Sequence, residues 1–374
     1  MPRTPDPDED DLYTRPPHPP VYYAEQALLG ALLLDPQLMA GVTGIAPEAF
    51  STAVHSALFA AIRCRPAPDP AEHAKNTTWL NEVLAAAHAQ ARGLTASYLH
   101  HLVQVCPRPQ HAPAYARIVE AEHARRRLRA AAAHLAHTAR DTSLPNPVPT
   151  ALGEADALAS VVDEIAAAFP PHSGSLPRAP ALPPAATLDD AEAADEERLL
   201  LATATAHPGD VEQMRWLSST DFTLPLHAGL WQCVTGLVRR RAPVDPVTVL
   251  WEAGQCGLLD AGPEPRELLG FLSQAAGSPE HWGERILNRS VLATAHHTGL
   301  LIHAFTGEPA NTPYQLVVGS RRALADLTAV RTRWHHATSP VPAPAATPAR
   351  AKAAAAPRAG PPKTTAPTPA RISR

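Results

Sequence analysis

Apolar residues recur every three to four positions along most of the chain, which is the period of an amphipathic helix. The first such segment spans about Tyr23 to Leu34. The pair Asp35-Pro36 ends it, because the residue before a proline disfavours helical dihedral angles. A second helix is predicted after Ser51, a residue type that suits the N-cap. With the high alanine content and the few aromatic residues, this pattern predicts an all-α fold.

Two longer helices follow, at about His111 to Arg140 and at about Ala151 to Phe169, and a proline-containing loop separates them. A long helix, a short loop and an amphipathic return helix are typical of a helical hairpin. The second half of the chain has the same plan, with short helices first and a predicted hairpin afterwards. Its predicted helices lie at about 190–206, 223–241, 246–257, 264–274 and 279–307, with a return helix from 313.

The two halves also match residue by residue at a constant offset of 172 positions. The matching pairs are Glu25 and Glu197, Leu28 and Leu200, Leu29 and Leu201, Pro36 and Pro208, Phe50 and Phe222, His55 and His227, and Leu58 and Leu230. Seven identities at one offset indicate a duplicated unit. The predicted division is an acidic, proline-rich arm at 1–21, a first domain at 22–170, a Pro/Ala linker at 171–188, a second domain at 189–337 and a basic Ala/Pro tail at 338–374. Both termini are predicted to be disordered.

Charge is distributed unevenly along the 374 residues. The chain has a net charge of −4, but the segment from Arg321 to Arg374 alone carries +9. The N-terminus has no apolar stretch of the kind found in a signal peptide, and no apolar run approaches the roughly 20 residues of a membrane span. The four cysteines form no CxxC pair. These features predict a cytoplasmic protein with free thiols and no membrane contact.

The ordered set of motifs resembles the N-terminal domain of DnaB-type replicative helicases, present twice. The resemblance covers about 24–170 and 194–336. The segments that carry it are Ala24 to Gly30, Leu33 to Asp35, Phe50, His55, Leu58, Phe59 and Tyr115 to Val119 in the first repeat, and Ala242 to Leu250 and Gly257 to Asp260 in the second. The resemblance implies two tandem domains, each with a head of short helices and a long hairpin. In that family, heads and hairpins pair between subunits into a collar that also docks primase and helicase loaders.

The chain departs from the family where the motor would follow. A helicase ATPase needs the loop GxxxxGK[ST], whose backbone amides and lysine hold the nucleotide phosphates. The sequence contains no such loop, and its only lysines are Lys75, Lys352 and Lys363. We therefore expect no helicase activity, no catalytic residues and no cofactor.

Histidines and acidic residues suggest chemistry but have simpler interpretations. None of the nineteen histidines belongs to an HExxH motif or to a cluster with metal-ligand spacing, so no metal site is expected. His55 and His227 are interpreted as buried histidines with hydrogen-bonded rings. Glu25 and Glu197 are interpreted as carboxylates at helix starts, where the helix dipole favours them. The pairs Asp189-Asp190 and Glu196-Glu197 are interpreted as a solvated face.

Two cationic features remain as candidate binding sites. Hairpin arginines either form a solvated face or bind a partner; they are Arg125, Arg126, Arg127, Arg129, Arg321 and Arg322. The tail resembles basic arms that bind nucleic acid weakly through counterion release. Its basic residues are Arg350, Lys352, Arg358, Lys363, Arg371 and Arg374.

These features favour a non-catalytic, replication-associated interaction module that binds a replicative helicase, a primase or a second copy of itself through its hairpins. Two alternatives stay open. One is an accessory protein that binds DNA through the basic tail. The other is an accessory subunit of a helicase whose ATPase is on a separate chain.

Overall fold

The computed structural model describes residues 18–42, 44–171, 176–178, 191–260 and 264–339. This part of the chain is helical and contains no strand, which confirms the predicted all-α fold. The helices, labelled in chain order, are α1 (Pro20–Leu34), α2 (Ala53–Arg63), α3 (Pro70–His73), α4 (Thr78–Gln90), α5 (Ala96–Val105), α6 (Ala112–Thr138), α7 (Pro147–Ala168), α8 (Ala191–Ala206), α9 (Pro208–Val211), α10 (Pro225–Arg239), α11 (Pro246–Gln255), α12 (Pro265–Leu272), α13 (Pro279–Gly307) and α14 (Pro313–Thr338). Short 3-10 helices lie at Pro36–Gly41, Pro47–Ala49, Pro109–His111 and Ser219–Asp221. Disorder was predicted for 1–21 and 338–374, of which 1–17 and 340–374 lie outside the described residues, whereas α1 begins at Pro20 and α14 ends at Thr338.

Helix α1 forms the centre of head one, which we define as α1 to α5. All but the first turns of α1 are buried, against α2, α5 and the start of α6. Gly30 allows the close approach of α5, because a Cβ atom at this position would lie 2.1 Å from the carbonyl oxygen of Leu102. The side chains of Thr52 and Thr95 cap α2 and α5 by accepting hydrogen bonds from backbone amides.

Head two, defined as α8 to α12, repeats this plan around the buried helix α8. The predicted start of α11 is confirmed: the side chain of Asp245 accepts from the amides of Val247 and Thr248, and Thr248 completes a capping box.

Several other helix starts were misplaced by a few residues. Helix α1 begins at Pro20 rather than Tyr23, and α7 begins at Pro147 rather than Ala151. Both helices begin with proline in the first turn, where its missing amide hydrogen costs nothing.

Each head is followed by its predicted hairpin, α6 with α7 and α13 with α14. The two hairpins pack on each other, and α6 against α13 is the most extensive contact between any two elements of the described chain. The described residues up to Ala337 therefore form one compact unit. Pairing of the two repeats within a single chain is thus a property of the structure.

Candidate functional site: the inter-repeat interface and the two buried Glu–His pairs

One hydrophobic core joins the hairpins of the two repeats. The first repeat contributes Ala124, Leu128, Ala132, Leu135, Ala139, Val148, Ala151, Leu152, Ala155, Leu158, Val162 and Ile165, and the second contributes Val291, Ala295, Ile302, Phe305, Leu316, Val317, Ala323 and Leu327. Where α13 crosses α6, a Cβ atom on Gly299 would lie 2.7 Å from the carbonyl oxygen of Ala132 and 2.8 Å from the Cβ of Ala136. The two backbones approach this closely because the residues at the crossing are small.

Arg125 connects α6 to the C-terminal end of α13. Its guanidinium donates to the carbonyl oxygens of Thr306 at 3.0 Å, Glu308 at 2.9 Å, Pro309 at 3.4 Å and Asn311 at 2.5 Å. The last carbonyls of a helix have no partner within the helix, and a cation at this end also interacts favourably with the helix dipole. Arg125 therefore supplies donors from the other repeat to the last turn of α13 and to the loop that follows it.

Arg129 reinforces the same contact one turn further along α6. It donates to the carbonyl oxygen of Thr306 at 2.7 Å and to its hydroxyl at 3.2 Å. Asn311 extends the contact to the chain between the repeats: it accepts from the amide of Arg178 and donates to the Arg178 carbonyl, each at 2.9 Å. The sequence indicated these arginines as a solvated face or a partner site, whereas their bonds in the structure run between the two repeats.

The other candidate arginines of the hairpins are held differently. Arg126 donates to the carbonyl oxygen of Ala49, and Arg127 and Arg321 form ion pairs with Glu164 and Asp163. Both ion pairs are exposed, and exposed pairs contribute little to stability. Arg322 is exposed, and no bond to it is described. Use of these residues by a partner stays a prediction.

A histidine beside the arginines adds no charge to them at neutral pH. Burial lowers the pKa of His123, and the nearby cations Arg126 and Arg127 lower this pKa further.

The candidate residues of the tail, from Arg350 to Arg374, lie outside the described residues, so the structure gives them no position.

In head one, Glu25 and His55 form a buried pair. The Nδ1 of His55 lies 2.6 Å from Oε2 of Glu25, and this carboxylate also accepts from the amide and the hydroxyl of Ser51 at 2.6 and 2.9 Å. The interpretation of His55 as a buried, hydrogen-bonded histidine is confirmed. The interpretation of Glu25 was wrong: α1 begins at Pro20, so Glu25 lies beyond the first turn and binds groups from the segment before α2 instead.

A tyrosine completes the chain of hydrogen bonds in head one. The hydroxyl of Tyr98 lies 2.7 Å from Nε2 of His55, and it lies 3.4 Å from both the Tyr22 hydroxyl and Nε2 of Gln26. Burial, and then the hydrogen bond with Tyr22, raise the pKa of Tyr98, so the phenol keeps its proton. When the neutral ring of His55 donates from Nδ1 to Glu25, Nε2 is the atom that accepts from this phenol.

Head two contains the same pair at the matched positions. The Nδ1 of His227 lies 2.7 Å from Oε2 of Glu197, whose carboxylate accepts from the amides of Thr223 at 2.6 Å and Leu224 at 3.4 Å. Here too the carboxylate is buried beyond the first turn of its helix, which begins at Ala191, so the dipole interpretation was wrong. The duplicated spacing revealed both the glutamates and the histidines, but only the structure shows that each glutamate binds the histidine of its own head.

Glu196 was also misinterpreted as part of a solvated face. It is 3% exposed and binds Arg285 and Arg289 of α13, which links α8 to the hairpin of the same repeat. A comparable pair joins Arg333 of α14 to Asp221 near the start of α10. The pair Asp189-Asp190 lies outside the described residues. Within the part that is described, no group of three or more His, Cys, Asp and Glu side chains is arranged to hold a metal ion.

The fold and its two Glu–His pairs define a class of all-α protein built from two copies of one unit, each with a compact head and a hairpin. The model of the DnaB-like helicase N terminal domain matches residues 17–121 and 190–284, which together are more than half of the chain. The chain therefore belongs to the family of the DnaB-like helicase N-terminal domain, which it contains in two tandem copies. The matches cover the two heads and the first turns of α6 and α13.

No curated protein and no solved structure matches this chain. Among the described residues, no helix is long and apolar enough to cross a membrane.

Replacing Arg125 is expected to weaken the contact between the repeats. We expect Arg125→Met to lower the free energy of unfolding by about 2 kcal/mol, because four carbonyl groups lose a charged donor. The matched control is Arg127→Met, on the same helix, which removes only an exposed ion pair and is expected to cost under about 1 kcal/mol. Denaturant unfolding of both variants measures the difference. Equal losses would contradict a special role for Arg125.

Replacing Glu25 is expected to destabilise head one. The change Glu25→Gln keeps the shape of the side chain but removes an acceptor from a site with three donors, at a cost of about 1–3 kcal/mol. The control is Glu82→Gln, an exposed carboxylate 4.0 Å from Arg65, with an expected change within about 0.5 kcal/mol. Thermal and denaturant unfolding compare them. A Glu25→Gln variant as stable as the control would show that the buried pair is dispensable.

Proposed function

We propose that this protein is a non-catalytic adaptor of DNA replication that binds the N-terminal domains of a replicative helicase, and that it contains no motor of its own. The observation that carries the proposal is the packing of two copies of the helicase N-terminal domain, hairpin against hairpin, in one chain. A domain that pairs with its own kind within the chain is suited to bind the same kind of domain in a helicase. Primase is the alternative partner.

The surface available for such a contact lies on the heads, because the hairpins bury much of their apolar surface against each other. Helix α11 of head two exposes Val247 and Trp251, which are 65% and 70% accessible and lie one turn apart on the same face. Exposed tryptophans are frequent among the residues that contribute most to protein–protein affinity. The segment of α11 is also one that carries the resemblance to the helicase family.

We expect the purified chain to bind the purified replicative helicase of the organism that encodes it, as measured by light scattering after size exclusion and by titration. The change Trp251→Ala is expected to weaken binding at least about tenfold. The control is Tyr23→Ala, which removes an aromatic side chain with 58% exposure from head one. An ATPase assay of the chain alone is expected to give no turnover.

If the chain binds primase and not helicase, primase is the partner. Binding of neither protein to the full chain, or ATP hydrolysis by the chain alone, would overturn it. If the helicase binds equally well to both variants, the contact lies elsewhere than on α11.

A second candidate function is DNA binding, which the net charge of +9 between Arg321 and Arg374 favours. Six basic residues in the tail predict that the logarithm of the affinity falls with the logarithm of salt concentration with a slope of about −5 at most. Fluorescence anisotropy with labelled duplex DNA measures this slope, and deletion of residues 339–374 is expected to abolish binding. Deletion of residues 1–17, an acidic segment, is the control. Salt-independent binding, or binding that survives loss of the tail, would contradict this function.

A further inference from the structure

A cavity of about 630 Å³ opens in head two between α8, α10 and α12. His227 forms part of its inner wall, and the ring of Phe271, whose centre is 6.3 Å from that of His227, forms another part. Two leucines and four polar or charged side chains of both signs line the rest; they are Leu199, Leu226, Asp195, Arg198, Glu267 and Gln274. The volume lies within the range of about 300–1,000 Å³ that is usual for ligand sites.

The ring of His227 has one hydrogen-bonding atom to offer in this cavity. The side chain is about 2% exposed, and its Nδ1 bonds to Glu197. When the neutral ring donates from Nδ1 to this carboxylate, the other nitrogen, Nε2, is an acceptor. No donor to Nε2 lies among the described residues, and this nitrogen is not one of their fully buried unpaired atoms, so it is open to the cavity. The site therefore favours a ligand that carries a hydrogen-bond donor.

Head one shows which donor suits this geometry. There the matched histidine, His55, accepts from the phenol of Tyr98 at 2.7 Å, with the two rings nearly parallel and their centres 6.2 Å apart. The ring of Tyr22 lies against the same histidine, at 4.9 Å between centres. Two tyrosine rings thus occupy the space beside His55.

Both tyrosines are replaced in head two by residues that leave this space open. At the constant offset of 172 residues, Tyr22 corresponds to Ala194. Counting from the residue that precedes each helix, Thr95 and Glu264, the position of Tyr98 corresponds to Glu267. The Glu–His pair is thus kept in both copies, whereas the phenol that satisfies it is part of the chain in only one of them.

We propose that the cavity beside His227 binds a tyrosine side chain of a protein partner, whose phenol donates to Nε2 of His227 as Tyr98 donates to His55. The ring of Phe271 packs against the bound aromatic ring. Side chains of both signs at the rim, such as Arg198 and Glu267, suit the amide and carbonyl groups of a peptide backbone better than a wholly apolar small molecule. This inference goes beyond the proposed function, because it concerns a site on head two whichever protein presents the tyrosine.

The test uses the full chain and three small probes, observed by saturation-transfer NMR and by titration. N-acetyl-tyrosinamide represents a tyrosine within a peptide, N-acetyl-phenylalaninamide lacks the hydroxyl, and 4-methylphenol represents a small phenol. We expect N-acetyl-tyrosinamide to bind at least about tenfold more tightly than its phenylalanine analogue, because a site built to accept a hydroxyl proton discriminates against a ligand without one.

Two variants at the exposed position 267 and one in head one locate the site. Glu267 is exposed, so Glu267→Tyr is expected to fill the cavity from within the chain, abolish probe binding and raise the melting temperature. The matched control is Glu267→Gln, which leaves the cavity open and is expected to bind the probe as the unmodified chain does. In head one, Tyr98→Ala is expected to open a second site beside His55 and to raise the stoichiometry from one probe per chain to two.

Equal binding of the tyrosine and phenylalanine probes would overturn the role of the hydroxyl. Probe binding that survives Glu267→Tyr unchanged would overturn the location. Binding of 4-methylphenol without binding of N-acetyl-tyrosinamide would overturn the assignment to a protein side chain. The probe experiments need no helicase. A chain that does not bind helicase would contradict the proposed function without affecting the test of this inference.

Discussion

The crossing of α13 over α6 is the contact on which the arrangement of this protein depends. Gly299 lies against Ala132 and Ala136, and no larger side chain fits between the two backbones. This close approach brings the C-terminal end of α13 to Arg125 and Arg129. Their guanidinium groups then bind carbonyls of the last turn, which the helix cannot satisfy itself, and carbonyls of the loop that follows. The small residues determine the distance, and the arginines determine where along the helices the two repeats meet.

Covalent linkage changes what this contact means. Two separate subunits that pair through hairpins do so at a concentration set by the cell, whereas two repeats in one chain meet at an effective concentration that is set by their linker. Arg178 in the linker bonds to Asn311 in the loop between α13 and α14, so part of the linker belongs to the interface. Much of the apolar surface of the hairpins is therefore buried within the chain.

The sequence predicted the features that have a local signature. Helical periodicity, N-cap residues such as Asp245 and the constant offset between His55 and His227 gave the fold, the boundaries to within a few residues and the duplication. The role of Glu25 could not be read in this way, because its partners include a backbone amide 26 residues away, and amides have no sequence signature. The role of Arg125 was even less predictable from the sequence, since its partners are backbone carbonyls about 180 residues away. Side-chain spacing carries no information about such bonds.

The two heads differ in the residues that surround their buried Glu–His pairs. A carboxylate and an imidazole removed from water need every hydrogen bond they can make, because an unsatisfied buried group costs about 1–3 kcal/mol. Head one meets this need with Tyr98, and its network is complete. In head two the same pair is equally buried, yet Ala194 and Glu267 stand where the tyrosines would be. Head two thus keeps the buried Glu197–His227 pair without a tyrosine beside it, and the ring of His227 lines an accessible cavity. His227 still satisfies the buried carboxylate of Glu197 through Nδ1, while its ring also lines the cavity, so one side chain serves the core and the open site together.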